Sequence, residues 1–343
     1  ELPRSSWSDY SRDLISEGGG VFSRSAKQIK LTPQIREALG VDDGVETMTP
    51  NDLMRAVLLA PVDLFWNGGI GTYIKAASES NTRIGDRAND GIRVDGGQLR
   101  VKVIGEGGNL GASQLGRIEA AQRGVRVNTD AIDNSAGVDT SDHEVNIKVL
   151  LGPAVASGEL STDERNELLA SMTDEVAQRV LRHNHAQNVV LGNARAREGS
   201  MLGAHQRFMR WLEERGILDR SLEFLPSDSA LERLRAAGEG LASPELSVLV
   251  AYAKLALKAD LAAGDLADDP PLDRVEEGHL PAPRLGPRHP GRHRPCLETD
   301  PRHRAHLRRP PARAARPGGG GHRLPDRDGR ALTLPPTGRA VCG

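Results

Sequence analysis

Val62-Asp63-Leu64-Phe65-Trp66-Asn67-Gly68-Gly69-Ile70-Gly71 is a short apolar run closed by a polar, glycine-bearing turn. The run reads as a buried strand over 62–66, and the turn as its end. The pattern returns twice. Leu99 to Ile104 reads as a second strand, closed by Gly105-Glu106-Gly107-Gly108-Asn109-Leu110-Gly111. Val125-Arg126-Val127 reads as a third, closed by Asn128-Thr129-Asp130. Between these last two lies a helix, Gln114 to Arg123, with Gly124 just past its end. Strands alternating with helices predict an α/β fold built on a parallel sheet.

Upstream, Glu17-Gly18-Gly19-Gly20 reads as a flexible loop. Thr32-Pro33 and Thr49-Pro50 read as two helix starts, each with Thr as N-cap and Pro at the first helical position. The second opens a helix to Leu59, with Leu53, Met54, Val57 and Leu58 on one face. Downstream the periodicity predicts a helix over Asp139 to Leu151, then an all-helical region. Its helices are expected at Asn166 to about His185, Leu202 to Gly216, Ser229 to Ala237 and Ser243 to Ala263. Ser243-Pro244-Glu245 reads as a helix start with Ser243 as cap and an acid near the positive end of the dipole. The expected division is a sheet-bearing domain over 1–150, a helical region over 151–270 and a tail over 271–343.

The chain has 343 residues and a formal charge of −2, but this average covers unlike parts. Residues 275–343 carry 14 Arg, no Lys and 6 acids, while everything before them is acidic. Twelve of the 21 Pro and both Cys lie there, and all ten aromatics lie before it. A stretch without Phe, Trp, Tyr, Ile or Met, made mostly of Arg, Pro, Gly, Ala, Leu and His, cannot bury enough apolar surface to offset the entropy of ordering, so the tail is expected to be disordered. Its Arg content suggests a nucleic-acid binder, but it lacks aromatics for base stacking. Its residue set, rich in GC-codon residues, favours out-of-frame translation over a functional basic segment. No run of about 18 apolar residues predicts a membrane span. No basic start followed by an apolar segment predicts a signal peptide. The first 274 residues contain no Cys, which excludes a disulfide scaffold or thiolate metal site there. A cytoplasmic protein without membrane or nucleic-acid partners is expected. The start at Glu1 suggests an internal fragment.

In open α/β sheets, ligands bind beyond the carboxyl ends of the strands. Three polar strand ends here, each carrying Asn, are expected to converge on one nucleotide-sized ligand. A Gly-x-Gly-x-x-Gly fingerprint and a Walker loop are both absent. Asp142-His143-Glu144 offers acid–base groups, but neighbours on a helix point apart, so a solvated or capping cluster is expected. His183-Asn184-His185 places two His on different helix faces, poor geometry for one metal, and no metal site is expected. Arg83, Asp86, Arg87, Asp90 and Arg93 read as an ion-pair-laced helix. A non-catalytic module that binds a nucleotide or a partner remains an alternative to an enzyme.

The strand-end motifs resemble those of a known family when taken together. Val62 to Tyr73, Gly85-Asp86-Arg87-Ala88-Asn89-Asp90, Gly105 to Gly111, Asn128 to Asp139 and Ser141 to Lys148 look like the large NAD-specific glutamate dehydrogenases of bacteria. Leu2 to Trp7 and Ile15 to Arg24 resemble the same family, and the similarity covers about residues 2–274. The resemblance implies a partial Rossmann-like parallel sheet, with 1–150 as a partial NAD-binding domain. It implies oxidative deamination of L-glutamate to 2-oxoglutarate and ammonia, with NAD as cofactor. It implies cofactor contacts at Asn67, Gly68, Gly69, Glu106, Gly107, Gly108, Asn109 and Asn134, and at Ser141 a contact to the substrate side-chain carboxylate. Ala136 stands where the family has the first glycine of a pair. The family's catalytic Lys and Asp, and its first Gly-rich cofactor turn, are expected upstream of Glu1. No catalytic residue is therefore assigned in this chain, and negligible activity is expected of it alone. The full-length enzyme is expected to be a homo-oligomer.

Overall fold

Thr32 and Thr49 start their helices in the same way. Thr32 Oγ1 accepts the Ile35 N–H at 3.2 Å ahead of α1 (Pro33–Leu39). Thr49 Oγ1 accepts the Asp52 N–H at 3.2 Å ahead of α2 (Pro50–Leu58). In both, Pro occupies a position whose N–H has no helical partner anyway. A small antiparallel ribbon of β1 (Ile29–Lys30) and β2 (Thr47–Met48) flanks α1. The computed structural model describes residues 7–9 and 11–264, so the expected tail lies outside the described residues.

The expected parallel sheet is present and short. β3 (Leu64–Asn67) pairs in parallel with β6 (Val103–Glu106), placing Asn67 beside Glu106. The third expected strand reduces to a parallel bridge between Val103 and Arg126. There the Arg126 N–H donates to the Lys102 carbonyl and the Ile104 N–H to the Arg126 carbonyl, each at 2.9 Å. A second parallel pair, β4 (Ile74–Lys75) and β5 (Val94–Asp95), sits alongside, and Ile74 bridges to Ala112. The reading of 62–66 as a buried strand needs correction. Leu64 is 55% exposed and Trp66 61%, while Phe65 and Asn67 on the other face of β3 are half-buried and buried, so the strand is covered on one face alone.

The ion-pair-laced helix over 83–93 is not formed. α3 (Asn81–Ile84) stops at Gly85, which takes a left-handed φ of 79°. Arg93 is buried, and its guanidinium donates to the Thr72 and Asp86 carbonyls and to Asn81 Oδ1 and Asp90 Oδ1. Satisfying a buried guanidinium with four acceptors outweighs helical i,i+4 pairs worth tenths of a kcal/mol.

α4 (Gln114–Gln122) begins at Ser113, whose Oγ accepts the Gly116 N–H at 3.0 Å, and ends before Gly124 at φ 93°. The turn at Gly96 presses against it. A Cβ at Gly96 would lie 2.3 Å from the Gly116 carbonyl oxygen and 3.1 Å from the Ala120 nitrogen. Both are backbone atoms that cannot swing aside. Gly96→Ala is expected to destabilise the fold by about 1–3 kcal/mol through overpacking, read as a lower urea midpoint with an unchanged slope. An unchanged midpoint would show that α4 shifts freely.

The rest is helical: α5 (Asp130–Asp133), α6 (Ser135–Ala156), α7 (Thr162–Ser171), α8 (Thr173–Arg195), α9 (Glu198–Glu214), α10 (Asp228–Ala237) and α11 (Ser243–Ala263). Three expectations change. α6 starts at Ser135 rather than near Asp139, and Pro153 lies inside it. The single helix expected over 166–185 is two, with Met172 between α7 and α8. Ala242, not Ser243, occupies the N-cap of α11, while Glu245 Oε2 accepts the Ala242 N–H at 2.7 Å. Ser243 instead donates to Asn128 Oδ1 at 2.8 Å, fastening α11 to the sheet.

Two apolar cores result. Ile74, Val94, Val101, Ile104, Val125 and Val127 fill the sheet side. Leu191, Leu202, Met209, Leu212, Leu231 and Leu241 fill the helical side, where Ile132 of α5 joins them. Residue 150 falls within α6, which runs unbroken across it. Among the described residues, no helix is long and apolar enough to cross a membrane.

Candidate functional site

The three strand ends meet. The Gly107 and Gly108 N–H groups both donate to the Asn67 carbonyl, at 2.9 and 3.1 Å. From the third end, Asn134 Nδ2 donates to the Gly108 carbonyl at 2.8 Å and to Asn109 Oδ1 at 2.5 Å. Asn134 also precedes α6 as its cap residue. One amide thus ties the second turn to the start of α6.

The glycines have two kinds of reason. A Cβ at Gly107 would lie 2.5 Å from the Trp66 ring, and one at Gly108 would lie 2.6 Å from the Gly69 carbonyl oxygen. These two are needed for turn-to-turn packing. A Cβ at Gly69 would meet nothing within 4 Å, so that backbone is open to a ligand. Leu110 holds a left-handed φ of 58° with its side chain exposed. Its N–H is held by Asp130 Oδ2 at 2.8 Å, and its carbonyl accepts Thr72 Oγ1 at 2.8 Å. Strain of this kind on a non-glycine residue persists where neighbours over-determine it, and it clusters at functional sites.

Beneath the turns lies a buried charge cluster. Glu106, 1% exposed, receives both Nε and Nη2 of Arg117, 4% exposed, at 2.7 and 2.9 Å. Arg117 Nη2 also lies 3.4 Å from Asp130 Oδ1. Asp133 accepts the Glu106 N–H at 3.1 Å and Asn128 Nδ2 at 3.0 Å. Burial pushes the Glu106 carboxyl above its ordinary range, with Arg117 pulling it back. Burial likewise raises Asp133, against its bonds from Asn128 and the Glu106 backbone. Burial opposes the charge on Arg117, but the carboxylates of Glu106, Asp130 and Asp133 outweigh it. The Glu106 side chain is therefore committed to Arg117 below the turn. Sequence reasoning missed Arg117, because an Arg in the first turns of an amphipathic helix reads as solvent-facing. The one available signal was an acid, Glu106, in the turn directly after a strand.

Asn67 is buried, and its Nδ2 has no acceptor among the described residues. Gly111 makes room for that amide, since a Cβ there would lie 1.6 Å from it. Ser141 is exposed on α6, seven residues after Asn134. Seven residues are nearly two helical turns, so Asn134 and Ser141 share one face about 10 Å apart. A separate apolar cavity of about 370 Å³ lies between α8, α9 and α11, lined by Leu191, Met201, His205, Phe208, Leu246 and Leu249. It contains none of the strand-end residues.

Residues 1–194 match the family described as bacterial NAD-glutamate dehydrogenase, catalytic domain. The chain belongs to this family. Residues 238–286 match the glutamate dehydrogenase C-terminal family, which reaches past the composition break at about 274. The chain is 56% identical over 273 residues to an NAD-specific glutamate dehydrogenase of Mycobacterium tuberculosis, covering 78% of this chain and 17% of that protein. It is 51% identical over 282 residues to one of Halomonas elongata, covering 82% and 17%. It is 50% identical over 281 residues to one of Pseudomonas aeruginosa, again covering 82% and 17%. The chain thus spans about a sixth of the length of these relatives.

The two His motifs also need correction. Asp142-His143-Glu144 is not wholly solvated: His143 turns inward from α6 and stacks on His183 of α8, with ring centroids 5.6 Å apart and planes at 18°. The motifs do not converge within themselves, as the spacing indicated. One member of each converges across the helix pair, a relation that no local spacing contains.

Proposed function

We propose that this chain forms part of the nicotinamide and substrate face of an NAD-dependent glutamate dehydrogenase. In that reading the assembled enzyme deaminates L-glutamate oxidatively to 2-oxoglutarate and ammonia, and NAD accepts the hydride. The observation that carries it is Asn134, whose amide spans Gly108 and Asn109 where three strand ends meet. The residues present fit such a cofactor. Gly68 and Gly69 are exposed, with open space beside Gly69, and Asn67 holds a buried donor in need of an acceptor, a deficit costing about 1–3 kcal/mol until one is supplied. Asn134 orders the Gly108-Asn109 turn from below. Ser141, on the same face of α6, offers its hydroxyl to a substrate carboxylate. Glu106 acts as a support for the turn through Arg117 rather than as a contact. The reading also expects a cytoplasmic homo-oligomer.

Asn134→Ala tests it. Loss of two hydrogen bonds that fix the turn is expected to weaken NADH binding, followed by nicotinamide fluorescence, by about tenfold. In the assembled enzyme, glutamate-dependent turnover is expected to fall by a similar factor, because misplacing reacting groups raises the barrier. Unchanged binding and turnover would remove Asn134 from the site.

A further inference from the structure

We infer that Asp139, His143 and His183 form a binding site for a divalent transition-metal ion of the zinc class, joining α6 to α8. Asp139 and His143 are four residues apart on α6, so both project from one flank of the helix. His183 reaches them from α8. His183 Nδ1 lies 2.8 Å from Asp139 Oδ2, and His143 Nε2 lies 3.7 Å from Asp139 Oδ1. One ligand atom from each of the three lies within 4.8 Å of the others. Ligands at about 2.0–2.1 Å from a tetrahedral zinc sit about 3.4 Å apart. Small rotations of three side chains close the difference.

A second observation points the same way. His143 Nε2 is buried and has no hydrogen-bond partner among the described residues. An imidazole nitrogen held out of water without a partner is costly, and a metal lone-pair bond supplies one. The scaffold is rigid beside it. Asn184 Nδ2 donates to the Ile132 carbonyl at 2.8 Å and to Ser135 Oγ at 2.9 Å, pinning α8 to the start of α6 one residue from His183. Facing helices of a bundle commonly hold metals in this manner.

Two imidazoles and one carboxylate select zinc-class ions over magnesium or calcium, which take all-oxygen sets. Binding replaces the Asp139–His183 hydrogen bond, and any proton on the ligating nitrogens passes to solvent. Three protein ligands leave a fourth position for water or another donor. The site is separate from the strand-end turns. Ser141 is two residues from both Asp139 and His143, which places it on roughly the opposite side of α6. The metal would therefore act as a staple between two helices, not as a participant at the nicotinamide face.

The test is zinc titration of the full chain after chelator treatment, by calorimetry and by long-range ¹H–¹⁵N correlation of the His rings. Six of the ten His and both Cys lie after residue 274, so the comparison must be with variants. The wild type is expected to bind one more zinc than the His143→Ala/His183→Ala double variant. Asp139→Asn, nearly isosteric and checked for helicity by circular dichroism, is expected to weaken that ion by about 100-fold or more, since even outer-shell losses cost 10–100-fold. Ring nitrogens of His143 and His183 are expected to shift with one equivalent of zinc bound at this site. Equal stoichiometry and affinity in wild type and double variant would overturn the proposal. So would zinc binding that leaves both rings unshifted, or no binding at all.

Discussion

Arg117→Ala is expected to cost about 3–5 kcal/mol of stability, the range for removing one partner of a buried pair. In the native chain Arg117 donates twice to Glu106 and lies 3.4 Å from Asp130. Asp133 is part of the same cluster through the Glu106 backbone. The substitution leaves three acids beneath the Gly107-Gly108 turn with no cation beside them among the described residues. Glu106 then either carries an unpaired charge in the interior or takes up a proton. Arg117→Lys does not rescue the site, because one ammonium cannot reproduce the two-point contact. The double variant Glu106→Leu/Arg117→Met removes both charges and is expected to recover most of the loss. Urea unfolding of the three variants measures this. A single variant within about 0.5 kcal/mol of wild type would show that water already screens the pair. The consequence reaches function. Glu106 sits beside Asn67 in the strand register, so a disturbed cluster moves both turns. NADH binding is expected to weaken together with stability in Arg117→Ala.

This cluster marks where sequence reasoning stops. Local signals were legible because their physics is local. Thr32 and Thr49 cap helices with their own hydroxyls, and Gly124 supplies a left-handed turn that no neighbour has to specify. The convergence of Asn67, Asn109 and Asn134 was legible too, because parallel strands put their carboxyl ends on one side. Whatever depends on a partner far along the chain was not. Leu64 and Trp66 carry a buried-strand pattern, yet their exposure is set by whether another element covers their face of β3. Arg93 fits a helical charge ladder, yet the Thr72 carbonyl, 21 residues upstream, draws it away. Ser135-Ala136-Gly137 lies ahead of the expected helix start, yet α6 begins there, directly after Asn134, whose side chain is taken up by Gly108 and Asn109. His143 and His183 belong to the same class. Each looked inert among its neighbours, and the pair exists because α6 packs on α8.

Replacing Glu245 with Gln is expected to stabilise the chain at pH 8 and leave it almost unchanged at pH 5. Glu245 is buried in the first turn of α11, flanked by the buried Pro244, Leu246 and Ser247. No Lys or Arg pairs with it among the described residues. Burial lifts its carboxyl from 4.5 to about 7, and the hydrogen bond from the Ala242 N–H offsets only part of that. An acid that titrates higher folded than unfolded binds more protons in the native state between those two values. Native stability therefore declines as pH rises from 4.5 towards about 7 and stays lowered above it. At 1.36 kcal/mol per unit, the penalty above neutrality is about 3 kcal/mol. Glutamine is neutral throughout, and its side-chain oxygen still accepts from Ala242, so it escapes the penalty and keeps the bond. Urea midpoints of both proteins at pH 5 and pH 8 decide the matter. If wild type and variant differ by the same amount at both, Glu245 is solvated in the native state. The α11 start, which is also tied to the sheet through Gln114 Nε2 and the Pro244 carbonyl at 3.1 Å, would then have to open to water. If the difference grows with pH as expected, the junction between the helical core and the sheet is dry. The start of α11 is then held against the sheet by packing and neutral hydrogen bonds, with the ionised Glu245 working against it at pH 8.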